Sequence, residues 1–173
     1  MSCPSISPRS GAVPLLALLV SAAFGGLPTA AVNAAEVVAA SCQAADVQQA
    51  LNNAPDQATV RVPAGTCDWG SSSVSFAQQK SVWLRGGGSS GSGATLIKRS
   101  GAPGSSFALD FDCSKARRVE LSDFSFQGRH TSVQDGGVRL RNGCRDFKVH
   151  DMAFDGFTAS ALEVRDVRYS DPP

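Results

Sequence analysis

Arg118-Val119-Glu120-Leu121-Ser122-Asp123-Phe124-Ser125-Phe126-Gln127-Gly128 is followed, 28 residues on, by Asp146-Phe147-Lys148-Val149-His150-Asp151-Met152-Ala153-Phe154-Asp155-Gly156. Every apolar position of the first stretch falls on an apolar position of the second. Within each stretch the apolar residues alternate with polar ones, which is the period of a strand with one face buried. A repeat of this length belongs to stacked supersecondary units that share one continuous core. The pair of segments therefore predicts an all-β solenoid built from parallel strands.

The same alternation extends in both directions. Short strands are expected at 60–62, 74–76, 82–84, 95–97, 107–111, 119–121, 124–126, 138–140, 147–149, 152–154 and 162–164. Three per repeat, joined by tight turns and one longer loop, describe a three-sided turn. Asn142-Gly143 is the one hairpin-type dipeptide, and it falls at a corner beside Cys144. Ahead of the strands, Val47, Ala50, Leu51 and Ala54 make an apolar stripe at helical spacing, and Asn52, Asn53 and Pro55 end it. The helix over residues 43–54 is expected to cap the open first turn of the solenoid. The last strand is followed by no helix or polar repeat. With only about four turns, the chain reads as the N-terminal part of a longer solenoid, or as one that associates end to end.

Length and charge bound the rest. Arg9, an apolar run from Ala12 to Phe24 and a tail of small residues read as a secretory signal peptide over residues 1–35. The run is shorter than the ~20 residues of a membrane span. The solenoid domain is then 36–173, one domain among the 173 residues. Without Arg9, 15 basic residues face 15 acidic ones. That balance argues against nucleic acid, which needs a basic excess. Four cysteines remain, Cys42, Cys67, Cys113 and Cys144, and none is spaced as a zinc ligand pair. An even count in an exported chain indicates disulfides. Cys113 and Cys144 hold matching places before the two repeated segments, so they are expected to pair, leaving Cys42 with Cys67. The expected location is secreted or extracellular, with periplasm or cell surface included.

Cys42 to Cys67, with Ala45-Asp46-Val47-Gln48-Gln49-Ala50-Leu51, Val60-Arg61-Val62 and Pro63-Ala64-Gly65-Thr66-Cys67, resembles the N-terminal cap of pectate-lyase-like (pectin-lyase-like) proteins. Leu84-Arg85-Gly86 and both repeats continue the resemblance over most of the mature chain. It implies a right-handed parallel β-helix with a short N-terminal capping helix. It also implies an acidic polysaccharide as partner, and a lyase, glycoside hydrolase or epimerase if the chain is an enzyme. Ca²⁺ is a possible cofactor by the resemblance only. Asp123 and Asp151 match a corner position often held by Asn in that superfamily. The rival reading is a non-catalytic surface, adhesion or structural module.

No catalytic pair is legible. Gly86-Gly87-Gly88-Ser89-Ser90-Gly91-Ser92-Gly93 contains G-x-G-x-x-G but leads into a strand rather than a helix, so it reads as a connecting loop and not a dinucleotide site. The candidate substrate-binding face is the strand after the long loop. Its outward residues are Ala108, Asp110 and Asp112, then Arg139 and Arg141, then Glu163 and Arg165, with His130 and Asp135 on a preceding loop. Arginine can take a carboxylate bidentately and an aspartate cluster can hold calcium. The simpler account is a ladder of opposite charges, with Asp110 over Arg141 and Arg139 beside Glu163. His150, beside Asp151, reads as a lone surface histidine. Trp83 points outward and is expected to pack beneath the glycine-rich loop.

Overall fold

The computed structural model describes residues 34–101, 106–116, 118–130, 135–144 and 146–166. The signal peptide expected over residues 1–35 lies outside them except for its last two residues. The described elements are one helix and eleven strands, and every strand pairing is parallel. They run β1 (Glu36–Val38), α1 (Ala44–Asn53), β2 (Ala58–Arg61), β3 (Gly65–Asp68), β4 (Val74–Phe76), β5 (Val82–Arg85) and β6 (Thr95–Lys98). Then come β7 (Phe107–Asp112), β8 (Val119–Gln127), β9 (Gly136–Arg141), β10 (Phe147–Asp155) and β11 (Ser160–Val164).

This arrangement corrects the expected solenoid with a helical cap. The strands form two sheets, not three sides. One has seven strands in the order β1-β2-β5-β8-β6-β3, with β10 also on β8; the other is β11-β9-β7-β4. The difference arises at Asp123. The sequence reads it as a corner between two strands, but β8 is one strand of nine residues. Its first half pairs with β5 and its second half with β6, so the larger sheet curls instead of breaking. Asp123 and Asp151 take left-handed backbone, φ 64° and 52°, which bends each long strand at one residue. Gly86 makes the bend possible. Its N–H bonds Ser122 O at 2.9 Å, and a Cβ there would lie 2.1 Å from the Asp123 carbonyl oxygen.

The helix does not cover the edge of the seven-stranded sheet, which carries β1 instead. It lies against β4. The Gln48 side chain donates to Ser75 O at 2.9 Å and accepts from Ser75 N–H at 2.8 Å. Val47, Ala50 and Leu51 are buried, the stripe expected from spacing. Nothing in the chain's pattern announces the role of Lys80. It is buried, and its ammonium donates to the carbonyls of Leu51 (3.0 Å), Asn52 (3.3 Å) and Ala54 (2.5 Å), satisfying the helix C-terminus.

The core lies between the sheets: Val60, Val82, Leu84, Leu121, Phe124, Phe126, Ile97, Leu109, Phe111 and Leu140 are almost wholly buried. It thins toward β10 and β11, where Phe147, Val149, Met152 and Phe154 are only half buried and Leu162 is 41% exposed. Two disulfides fasten the chain, Cys42–Cys67 with Cα atoms 5.7 Å apart and Cys113–Cys144 with 4.7 Å. The pairing read from the repeat is the one observed. Each closes a loop worth about 3–4 kcal/mol through denatured-chain entropy.

Candidate functional site

The sheet face singled out by sequence is a ladder whose charges are already spent. Asp110 stands opposite Arg139, Asp112 opposite Arg141, and Arg139 opposite Glu163. Arg139 grips Asp110 through two bonds, 3.2 and 2.6 Å. Arg141 bonds Asp110 at 3.0 Å and Asp112 at 3.0 Å. Asp112 also accepts from Asn142 at 2.9 Å and from the Ser114 N–H at 3.0 Å. Glu163 and Arg165 pair with each other along β11 at 2.8 Å. Burial alone would raise the Asp110 pKa, but hydrogen bonds and charge from Arg139 and Arg141 outweigh it and hold the carboxyl below its usual range. The ion pair to Asp110 raises Arg139 in turn. Arg139 also lies 4.7 Å from the centre of the Phe107 ring. Ala108, read as outward, is buried.

The two loop residues are elsewhere. His130 sits at an exposed corner with its Nε2 3.2 Å from Asp155 Oδ2. Asp135 is buried, 4% exposed. It accepts from the Arg129 N–H at 3.2 Å and from the Thr158 hydroxyl at 3.4 Å, so it holds a loop together. Among the described residues no group of three or more His, Cys, Asp or Glu side chains could hold a metal ion.

The opposite wall is more open to a ligand. Strands β2, β5, β8 and β10 lie side by side in the larger sheet, so their outward side chains align in rows across it. One row is Thr59, Trp83, Glu120 and Lys148. The next is Arg61, Arg85, Ser122 and His150. Apart from Arg61 and Lys148, these residues line a groove of about 240 Å³, together with Asp123 and Asp151. It continues, through Thr59 and Arg85, into a hollow of about 300 Å³ beside Glu36 and Arg61. Trp83 is half exposed here, and no residue of the glycine-rich loop lines its groove.

The corner aspartates shape this groove. Asp123 accepts from Arg85 Nε at 2.8 Å and from the Ser122 hydroxyl at 2.8 Å, and the two terminal nitrogens of Arg85 meet no hydrogen-bond partner among the described residues. Asp151 meets His150 Nδ1 at 2.6 Å, and Glu120 meets His150 Nε2 at 3.1 Å. Those two hydrogen bonds, to Asp151 first and Glu120 second, raise the His150 pKa above its ordinary 6.5. His150 is thus the centre of a charged cluster, not a lone surface histidine. Sequence reading missed it because Glu120 is 30 residues away. The 28-residue offset that aligns His150 with Ser122, two positions from Glu120, was the available signal.

The arrangement offers an aromatic ring, guanidinium donors and carboxylate acceptors along one open groove that crosses the strands. Neighbouring strands lie about 4.8 Å apart, so Arg85 and His150, two strands apart, are separated by about 10 Å. Such a surface suits an extended polar polymer better than a compact molecule. The two disulfides are compatible with an extracellular setting. No helix among the described residues is long and apolar enough to cross a membrane. No family model, curated protein or solved structure matches this chain, and the likeness to pectate-lyase-like proteins rests on the quoted residues alone.

Proposed function

We propose that this is an exported protein that binds acidic polysaccharide along the outer face of its larger sheet. The observation that carries the reading is Trp83 standing in a groove beside the row Arg61, Arg85 and His150. An indole face stacks on the apolar face of a sugar ring, and a guanidinium edge receives a carboxylate. The Asp110–Arg141 ladder supports this assignment by default, since its arginines are engaged by their own aspartates. Binding is the core of the proposal. Both nitrogens of His150 are already committed to carboxylates, so that ring has no free nitrogen for cleavage chemistry.

Affinity electrophoresis through gels containing polygalacturonate or alginate tests it. Trp83→Ala is expected to weaken retention about tenfold, the loss of one stacking contact with its buried area. Arg139→Ala with Arg141→Ala is expected to leave retention unchanged. The reverse pattern would move the site to the smaller sheet, and an unretained wild-type protein would remove the reading. New reducing ends in the same samples report any cleavage.

A second reading, a structural module that associates with its own kind, is favoured by the half-covered apolar side chains of β10 and the exposed Leu162 of β11.

A further inference from the structure

The arginines of the groove do not by themselves give it a positive sign. Arg61 faces Glu36 at 3.8 Å, and Arg85 is held by Asp123 at 2.8 Å. Toward β10, Glu120 is shared by Arg118 at 3.7 Å, Lys148 at 3.7 Å and His150 at 3.1 Å. Arg118 also faces Asp146 at 3.7 Å, and Asp151 lies 2.6 Å from His150. The permanent charges in the groove are Arg61 and Arg85 against the carboxylates of Glu36, Glu120, Asp123 and Asp151, and those flanking it through ion pairs are Arg118 and Lys148 against Asp146, four cations to five carboxylates in all. His150 decides the balance. Around it stand Glu120 and Arg118 from the β8 side, Lys148 and Asp151 from its own strand, and Arg85 and Asp123 across the groove.

Taking the groove as the polysaccharide site proposed above, we propose that His150 sets its preference for acidic over neutral sugars. The geometry requires a charged ring. Each ring nitrogen is aimed at a carboxylate oxygen, and only an imidazolium can donate from both nitrogens. With the ring charged, the groove and the charges flanking it balance, and its guanidinium edges take an anionic chain. With the ring neutral, the carboxylates are in excess, and one of them faces a lone pair of the ring. The negative charge at that end then repels an anionic polymer. A neutral sugar stacking on Trp83 is indifferent to this change. The direction in pH follows. A bound anion favours the protonated ring, so affinity is highest at low pH and falls as pH rises through the raised pKa of His150, above 6.5.

The experiment measures affinity for polygalacturonate and for its fully methyl-esterified form at about pH 5.5 and about pH 9, where free carboxylates stay ionised. For the wild type, binding to polygalacturonate should weaken about fivefold at the higher pH, the factor one unit charge gives at ~4 Å in water. The esterified polymer should bind equally at both. His150→Gln should bind polygalacturonate weakly at both, and His150→Arg strongly at both. The Arg variant also covers the case in which the Gln variant fails to fold. Should the histidine only tie β8 to β10, His150→Gln would lose stability while the pH profile of binding stayed as in the wild type, and the proposal would be overturned. Equal wild-type affinity at both pH values overturns it as well, with binding at Trp83 left standing. No binding by the wild type to either polymer at either pH defeats the polysaccharide reading itself.

Discussion

Phe126→Ala is expected to cost about 3–5 kcal/mol of stability, the usual range for emptying a fully buried aromatic site. Phe126 has no measurable exposure. Its ring lies 5.7 Å from that of Phe124 and stacks on Phe154 at 5.6 Å with an interplanar angle of 15°. It also sits in the half of β8 that pairs with β6, opposite Ile97, where the larger sheet curls toward the smaller. Truncation therefore removes the contact between β8 and the thinly covered β10 as well as its own buried area. The hole cannot collapse easily, because backbone pairing on both sides of β8 holds the walls apart. Thermal denaturation followed by circular dichroism reads the loss as a melting temperature lower by about 10 °C or more. A cost under about 1 kcal/mol would show that the inner face of β8 is not packed as described.

Arg99→Met is expected to cost a similar amount, about 3–5 kcal/mol, for an electrostatic reason. Arg99 follows β6 and is 3% exposed. It donates to Ser72 O, to Ser106 O at 3.1 Å and to Ser106 Oγ at 2.7 Å. Burial lowers its pKa and the charge of Asp135 opposes that shift, so the two residues share one buried environment. Ser106 and Asp135 immediately precede β7 and β9, and Ser72 stands two residues before β4. One guanidinium thus ties the larger sheet to the starts of three strands of the smaller. Methionine keeps the volume but takes the donor from the Ser72 carbonyl and the Ser106 hydroxyl and removes the cation beside Asp135, and such losses are costly in the interior. Adding Asp135→Asn should recover part of the loss, because the two changes act on one cluster and do not sum. Purely additive costs in the double-mutant cycle would separate the two residues energetically and sink this account.

Those two residues illustrate what was and was not legible. Phe126 could be placed in the core from alternation alone, since its neighbours Ser125 and Gln127 are polar and its counterpart Phe154 repeats the pattern. Arg99 could not. Its cationic side chain predicts solvent, and only the convergence of three distant strand starts makes an interior site for it. Asp135 was misplaced for the same reason: a loop aspartate reads as available, whereas here it serves the interior. The short strands β1 and β3 escaped notice because Glu36–Val38 has three residues and Gly65–Asp68 buries only Cys67.

The candidate site shows a similar division. The charge alternation of Asp110, Asp112, Arg139 and Arg141 was visible, and so was the option that these groups would satisfy one another. Which aspartate met which arginine depended on register. Asp110 is opposite Arg139, one pair away from the expected partner, and its second bond to Arg141 is diagonal. On the other sheet, Trp83 and His150 were visible as outward residues, but their shared groove with Arg85 and Glu120 was not.

Local pattern alone determined the parallel, strand-rich character, the position of α1, the inward residues except Ala108, and the pairing of four cysteines. Each of these follows from periodicity or from matching places in a repeat, which need no knowledge of distance. The tertiary structure decided that β8 and β10 bend without breaking, that two sheets rather than three sides enclose the core, and that a histidine stands between Asp151 and a glutamate on the neighbouring strand. A left-handed residue inside a strand and a loop corner have the same spelling in the chain. Only backbone hydrogen bonding between neighbouring strands tells them apart.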